Sequence, residues 1–177
     1  LISDQITAIQ VDDIAGLSTA QIRVITTDAL AGFTTNQVIA LNSAQINAMT
    51  TDQITKLSTD QVTAIEVADL AGLSSTQVAR LSSDQLIGMT TNQIAGLSTA
   101  QIRSITTDKV STLTTDQIVA LTSSQLGSLS TQQTSKLVSD QITAIQVDDI
   151  AGLTTAQVRV INTDALAGFT TNQVIAL

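Results

Sequence analysis

The sequence predicts an all-α superhelical solenoid of short capped helices, one for each of 22 octapeptide repeats spanning residues 2–177. Three observations predict it. An eight-residue period runs through the chain without insertion or deletion, a capping-box pair recurs at fixed spacing in each period, and charge segregates as a helix dipole requires. So strict a phase means that each octad fills an equivalent slot against its neighbours. Octads are numbered here from 1 (residues 2–9) to 22 (170–177), and residues within each by positions 1–8.

Positions 1–4 read as a helix start. Position 1 is Ser, Thr or Asn in 17 octads, which suits an N-cap, and position 2 is Ser or Thr in 19. Position 4 is Gln in 16, placed to return its side chain to the N-cap amide as the second half of a capping box. The preceding position 8 then falls at N′ and position 5 at N4. Leu57 with Val62, and Leu97 with Ile102, are set for the hydrophobic staple that accompanies that box. Position 8 is large and apolar in all 22 octads and position 5 in 21, Thr134 being the exception, so these two positions are the expected core. Of 15 acidic residues, 14 lie at positions 3 or 4; six of seven basic ones (Arg23, Lys56, Arg80, Arg103, Lys136, Arg159) lie at positions 6 or 7. Acids in the first turn and bases in the last complement the macrodipole, at about 0.3–1 kcal/mol per well-placed charge. The expected helix is about five to seven residues long. Position 7 holds seven of the eight glycines, among them Gly72, Gly88 and Gly152. These are read as sharp turns at helix C-termini combined with tight helix-on-helix contact.

One continuous helix is excluded, because eight residues at 100° each rotate the apolar stripe by about 80° per octad and no partner could follow it. A β-solenoid is the alternative fold, favoured by the Thr, Ile and Val content. Its weakness is that positions 5 and 8 fall on opposite faces of a strand unless a turn resets the parity in each repeat.

A longer order lies above the octad. Residues 2–41 match residues 138–177 at 36 of 40 positions, and Ala29, Asp69, Lys109 and Asp149 replace the position-4 Gln at 40-residue intervals. Tandem duplication of blocks explains this, as does a superhelical turn of about five octads. Leu1 occupies position 8 of an octad preceding the sequence and Leu177 closes the last one, with a polar cap at neither end. Residues 1–177 are therefore read as a single repeat array, a window of a longer one.

Composition removes several functions. With no His or Cys, there is no imidazole or thiolate metal site, no disulfide and no His-dependent triad. A net charge of −8 with two Phe as the only aromatics opposes nucleic-acid binding, and no apolar run is long enough to span a membrane. The pairs Asp12-Asp13 and Asp148-Asp149 pass the residue-type test for two-carboxylate hydrolysis, but adjacent residues do not converge on a substrate, and first-turn acids serve capping. A stacked row of position-3 Asp lacks calcium-loop spacing, and a Thr-Thr face suited to ice binding would need the β-solenoid. No catalytic, cofactor-binding or metal residue is therefore assigned, no cofactor is expected, and the chain is not expected to be an enzyme. Val24, Ile39, Ile87, Val119, Val160 and Ile175 add apolar side chains at positions 6 or 7, either as lateral contacts between chains or as a wider core.

Octads such as Thr50–Leu57 (TTDQITKL) and Ser98–Ile105 (STAQIRSI) resemble the repeat regions of very large bacterial surface proteins of adhesin-like type. That resemblance covers essentially the whole chain and implies export to the cell surface and a stalk or filament role. The haem-utilisation label sometimes attached to such repeats is unsupported, because no His, Cys or Tyr is present and both Met fall at position 8. The expected function is a self-associating extracellular fibre or adhesin stalk, whose partner is the chain itself. The alternative is a solenoid module that binds a protein or surface glycan.

Overall fold

A computed structural model describes residues 3–177, with side chains from Gln5 onward; Leu1, read above as closing an earlier octad, lies outside the described residues. Among the described residues each octad carries one helix, 21 of them α-helical and one, Val67–Gly72, a 3₁₀ helix. No strand is present among them, so the fold is all-α and the β-solenoid alternative is discarded, together with its Thr-lined face.

Each helix begins at position 2, as the capping pattern requires. The helices are four to six residues long, shorter than the expected five to seven, as in Val147–Ile150 and Thr51–Lys56. The cause is the last turn, where the amide of position 8 bonds the carbonyl of position 5, as in Leu57 N–H to Ile54 O at 3.3 Å. Such i→i−3 closure tightens the end and halts the α-helix early. Where the helix runs to position 7, the link to the next is two extended residues: Leu57 at φ −61°, ψ 138° and Ser58 at φ −69°, ψ 163°.

The chain divides into two compact units, Leu1–Gly96 and Leu97–Leu177, with no break in the repeat where they meet in sequence. In each unit an octad packs on the one three further along: Thr19–Val24 on Ser43–Ala48 in the first, Ser139–Ala144 on Thr163–Leu166 in the second. Hydrogen bonds described below reach four octads back, so a turn of the solenoid takes three to four octads. The five-octad turn is thereby corrected, and the 40-residue recurrence falls to duplication. Positions 5 and 8 form the core, with Ile54, Leu70 and Ile142 wholly buried. Thr134 is wholly buried in the same row, its hydroxyl donating to Ser130 O at 3.1 Å. Leu166 and Val174 are the exposed members of the position-5 row, since octads 21 and 22 have none three further on in this sequence to cover them.

Position 7 meets position 2 of the octad three earlier. A Cβ on Gly72 would overlap the Ser43 carbonyl, and one on Gly152 the Ser123 carbonyl. Among the described residues nothing has positive φ, so these glycines provide close approach and not a left-handed turn. Gly72→Ala and Gly152→Ala should each cost about 1–3 kcal/mol in urea unfolding, because backbone has to move. Gly88→Ala should cost less, since the atom in its way is Cγ2 of Thr59, a side chain that can turn aside.

Candidate functional site

The position-4 Gln does more than close a capping box. At Gln53, Oε1 accepts from the Thr50 amide at 2.7 Å, while the Gln53 amide donates to Thr50 Oγ1 at 3.1 Å. Its Nε2 then donates to Ile22 O at 2.9 Å and Ile25 O at 2.7 Å, residues 31 and 28 earlier in the chain. Gln85 repeats this on Ile54 O (3.0 Å) and Leu57 O (2.7 Å). In the second unit, Gln141 reaches Val110 O (2.9 Å) and Leu113 O (2.8 Å), and Gln157 reaches Leu126 O (2.8 Å) and Leu129 O (2.9 Å). One amide thus caps its own helix and ties the C-terminal carbonyls of the helix four octads back. Both its N–H groups and its oxygen are used, which is what allows a side chain only 2% exposed at Gln53 to be polar. Where position 1 is Val138, with no acceptor on its side chain, the Gln141 oxygen still takes the Val138 amide at 3.1 Å.

The capping reading of this residue was incomplete, and one sequence signal could have completed it. A capping box accepts Glu as readily as Gln, yet no octad has Glu at position 4. A carboxylate could cap but could not donate to the two carbonyls.

Where Asp replaces Gln, the shorter side chain binds a nearer octad. Asp69 Oδ1 accepts from Ser43 N–H and Oγ, both at 2.8 Å, and Asp149 Oδ1 from Ser123 N–H at 2.8 Å and Oγ at 2.7 Å. Of the pair Asp148-Asp149, then, one carboxylate caps a neighbouring helix and the other faces solvent. Position 6 adds a third tie: Asn47 Nδ2 donates to Gly72 O at 3.0 Å, and Thr63 and Thr143 hydroxyls donate to Gly88 O and Gly168 O at 2.9 and 2.8 Å. At octad 14 the Thr106 hydroxyl and the Asp108 amide hold the Asp108 carboxyl below the usual range.

The outward face differs. All six apolar residues noted at positions 6 and 7 are exposed, from 37% at Val160 to 75% at Val24 and 78% at Ile175. They are no part of a wider core. Leu17, Gln21, Val24 and Ile25 line a shallow depression of about 230 Å³. Among the described residues no group of three or more acidic side chains could hold a metal ion, and no helix is long and apolar enough to cross a membrane.

These features define a tandem-repeat protein, an all-α solenoid whose repeats are joined through side-chain amides. The ALTTAQ repeat model matches residues 6–43, 40–64, 62–99, 91–123 and 142–177, and the chain belongs to that family. The six letters follow positions 7, 8, 1, 2, 3 and 4, as in Gly152–Gln157 (GLTTAQ): small contact residue, core residue, cap and, three further on, the latching Gln. No curated protein matches the chain.

Gln85→Glu separates the two roles of the latch. Its cap survives, but the introduced carboxyl faces two carbonyl oxygens in a buried site, which raises its folded pKa above the unfolded value of about 4.3. The sign follows: stability is retained below about pH 4, where the carboxyl is protonated and can donate one bond, and is lost as pH rises through the raised pKa. Urea unfolding of variant and wild type at matched pH should show a deficit of about 2–4 kcal/mol at pH 7 that shrinks towards pH 4. A deficit independent of pH would mean that the carbonyl bonds contribute little.

Proposed function

We propose that this array is a length of a self-associating extracellular fibre or adhesin stalk, with no reaction of its own to catalyse. The observation that carries the reading is the division of labour between inside and outside. Buried polar side chains are spent on holding octads to octads, while six large β-branched residues stand in solvent. Burying them against another chain returns free energy that a lone array forgoes, at about 25 cal/mol per Å². Export accords with the absence of Cys and with the resemblance to bacterial surface repeats; a net charge of −8 keeps a long array dispersed until specific contacts form.

Negative-stain electron microscopy and far-UV circular dichroism on one sample test this. Wild type is expected as uniform filaments with a helical spectrum. The double variant Ile39→Lys, Ile175→Lys is expected to keep the spectrum and lose the filaments. Helical wild-type particles that stay dispersed at high concentration would overturn the fibre reading in favour of a module that binds a protein or glycan.

A further inference from the structure

The exposed charges follow the stacking of the solenoid. Apart from Asp4, Asp12 and Asp148, position-3 acids stand at octads 4, 7, 8 and 11 in the first unit, as Asp28, Asp52, Asp60 and Asp84. In the second they stand at octads 14, 15, 18 and 21, as Asp108, Asp116, Asp140 and Asp164. All eight are exposed, and within a unit Asp28 and Asp84, or Asp108 and Asp164, stand 56 residues apart. Fifty-six residues are seven octads, or two turns where a turn takes three to four.

The acid-bearing octads therefore stack on one another. In the first unit Thr27–Ala31 packs on Thr51–Lys56, and Thr59–Thr63 on Ser83–Gly88. Gln61 latches octad 8 to octad 4 through Phe33 O, and Gln85 latches octad 11 to octad 7 through Leu57 O. In the second, Ser139–Ala144 packs on both Thr115–Val119 and Thr163–Leu166, and Gln141 latches octad 18 to octad 14.

The arginines occupy other octads, while Lys56 and Lys109 share octads 7 and 14 with Asp52 and Asp108. Arg23, Lys56 and Arg80 belong to octads 3, 7 and 10 of the first unit. Thr19–Val24 packs on Ser43–Ala48, which Gln77 latches to octad 10, and octad 10 packs on octad 7. In the second unit Arg103, Lys109, Lys136 and Arg159 belong to octads 13, 14, 17 and 20, joined by the Gln133 latch and by packing of Thr131–Thr134 on its neighbours on either side. The exposed Val24 and Val160 adjoin Arg23 and Arg159, while Ile87 and Val119 lie on the acid-bearing octads 11 and 15.

We propose that the partner of this surface is a second copy of the chain, laid alongside so that, within each unit, the acid-bearing octads of one face the base-bearing octads of the other, with Val24 buried against Ile87 in the first unit and Val160 against Val119 in the second. The inference rests on the self-associating reading above and names its two faces. Exposed ion pairs are individually weak and screened by salt, so a single pair would hold nothing. Several pairs along one unit sum and set register, while the net charge of −8 makes mismatched contact repulsive.

Sedimentation velocity on four proteins decides it, each first checked for a helical spectrum. One variant reverses the bases (Arg23→Glu, Arg80→Glu, Arg103→Glu, Arg159→Glu), and one reverses the acids (Asp60→Lys, Asp84→Lys, Asp116→Lys, Asp140→Lys). A control neutralises two acids outside the run (Asp12→Asn, Asp148→Asn). Wild type and control should sediment as assemblies of several times 18.4 kDa. Each reversed variant should sediment as a monomer, and their equimolar mixture should assemble again. If a reversed variant unfolds, the neutral versions (Arg→Gln or Asp→Asn at the same four positions) replace it, with association at least about tenfold weaker expected from loss of the charge pairs. Reversed variants that assemble like wild type overturn these faces and leave the fibre reading standing. A mixture that stays monomeric overturns the complementarity, and a monomeric wild type overturns both proposals.

Discussion

A helix of four to six residues leaves most of its backbone groups without partners inside itself. The buried glutamine side chain answers that constraint at both ends of the helices it touches. Its oxygen takes an orphan amide at one N-terminus, and its two N–H groups take orphan carbonyls at the C-terminus four octads earlier, as Gln53 does for Thr50, Ile22 and Ile25. Helices so short do not persist alone in water, so each depends on residues from a different turn of the chain. The invariant eight-residue period follows, because one added residue would displace the amide from its carbonyls.

Substitutions at the latch show how geometry sorts side chains by length. Glutamine spans to the octad four back, whereas aspartate, one methylene shorter, binds the backbone and hydroxyl of a serine three octads back. Glycine at position 7 of those same octads lets the backbones approach closely enough for that bond, which is why Asp69 goes with Gly72 and Asp149 with Gly152. Polar chemistry is directed inward at these points, and what remains outward is charge and isolated aliphatic groups.

Much of this was legible in the sequence because it is local. Caps, staple positions and core rows involve residues three to five apart, and the position-5 and position-8 rows fold as their spacing implies. The latch was legible only by half, since its distal partners are backbone carbonyls, which carry no side-chain signature at a separation of 28 or 31. The missing Glu at position 4 held the clue. The 40-residue recurrence of Ala29, Asp69, Lys109 and Asp149, open in the sequence to duplication or to a five-octad turn, is a trace of copying and not of packing; the 56-residue spacing of Asp28 and Asp84 tracks the stacking. Helix length was overestimated because i→i−3 closure leaves no mark in composition. The close contacts read at the glycines are real, and the sharp turns read there are made without positive φ among the described residues.

The common helix start at position 2 has a consequence for how such a gene can change. Because every octad starts its helix at the same position, gain or loss of any whole number of octads keeps the register in which a position-4 amide meets its carbonyls. The interior is indifferent to length in steps of eight residues. The exterior is not: a step of one octad, where a turn takes three to four, moves an aspartate to another side. Slippage between near-identical repeats would therefore yield chains that all fold alike yet present different surfaces, so that selection on length acts through what neighbouring molecules touch.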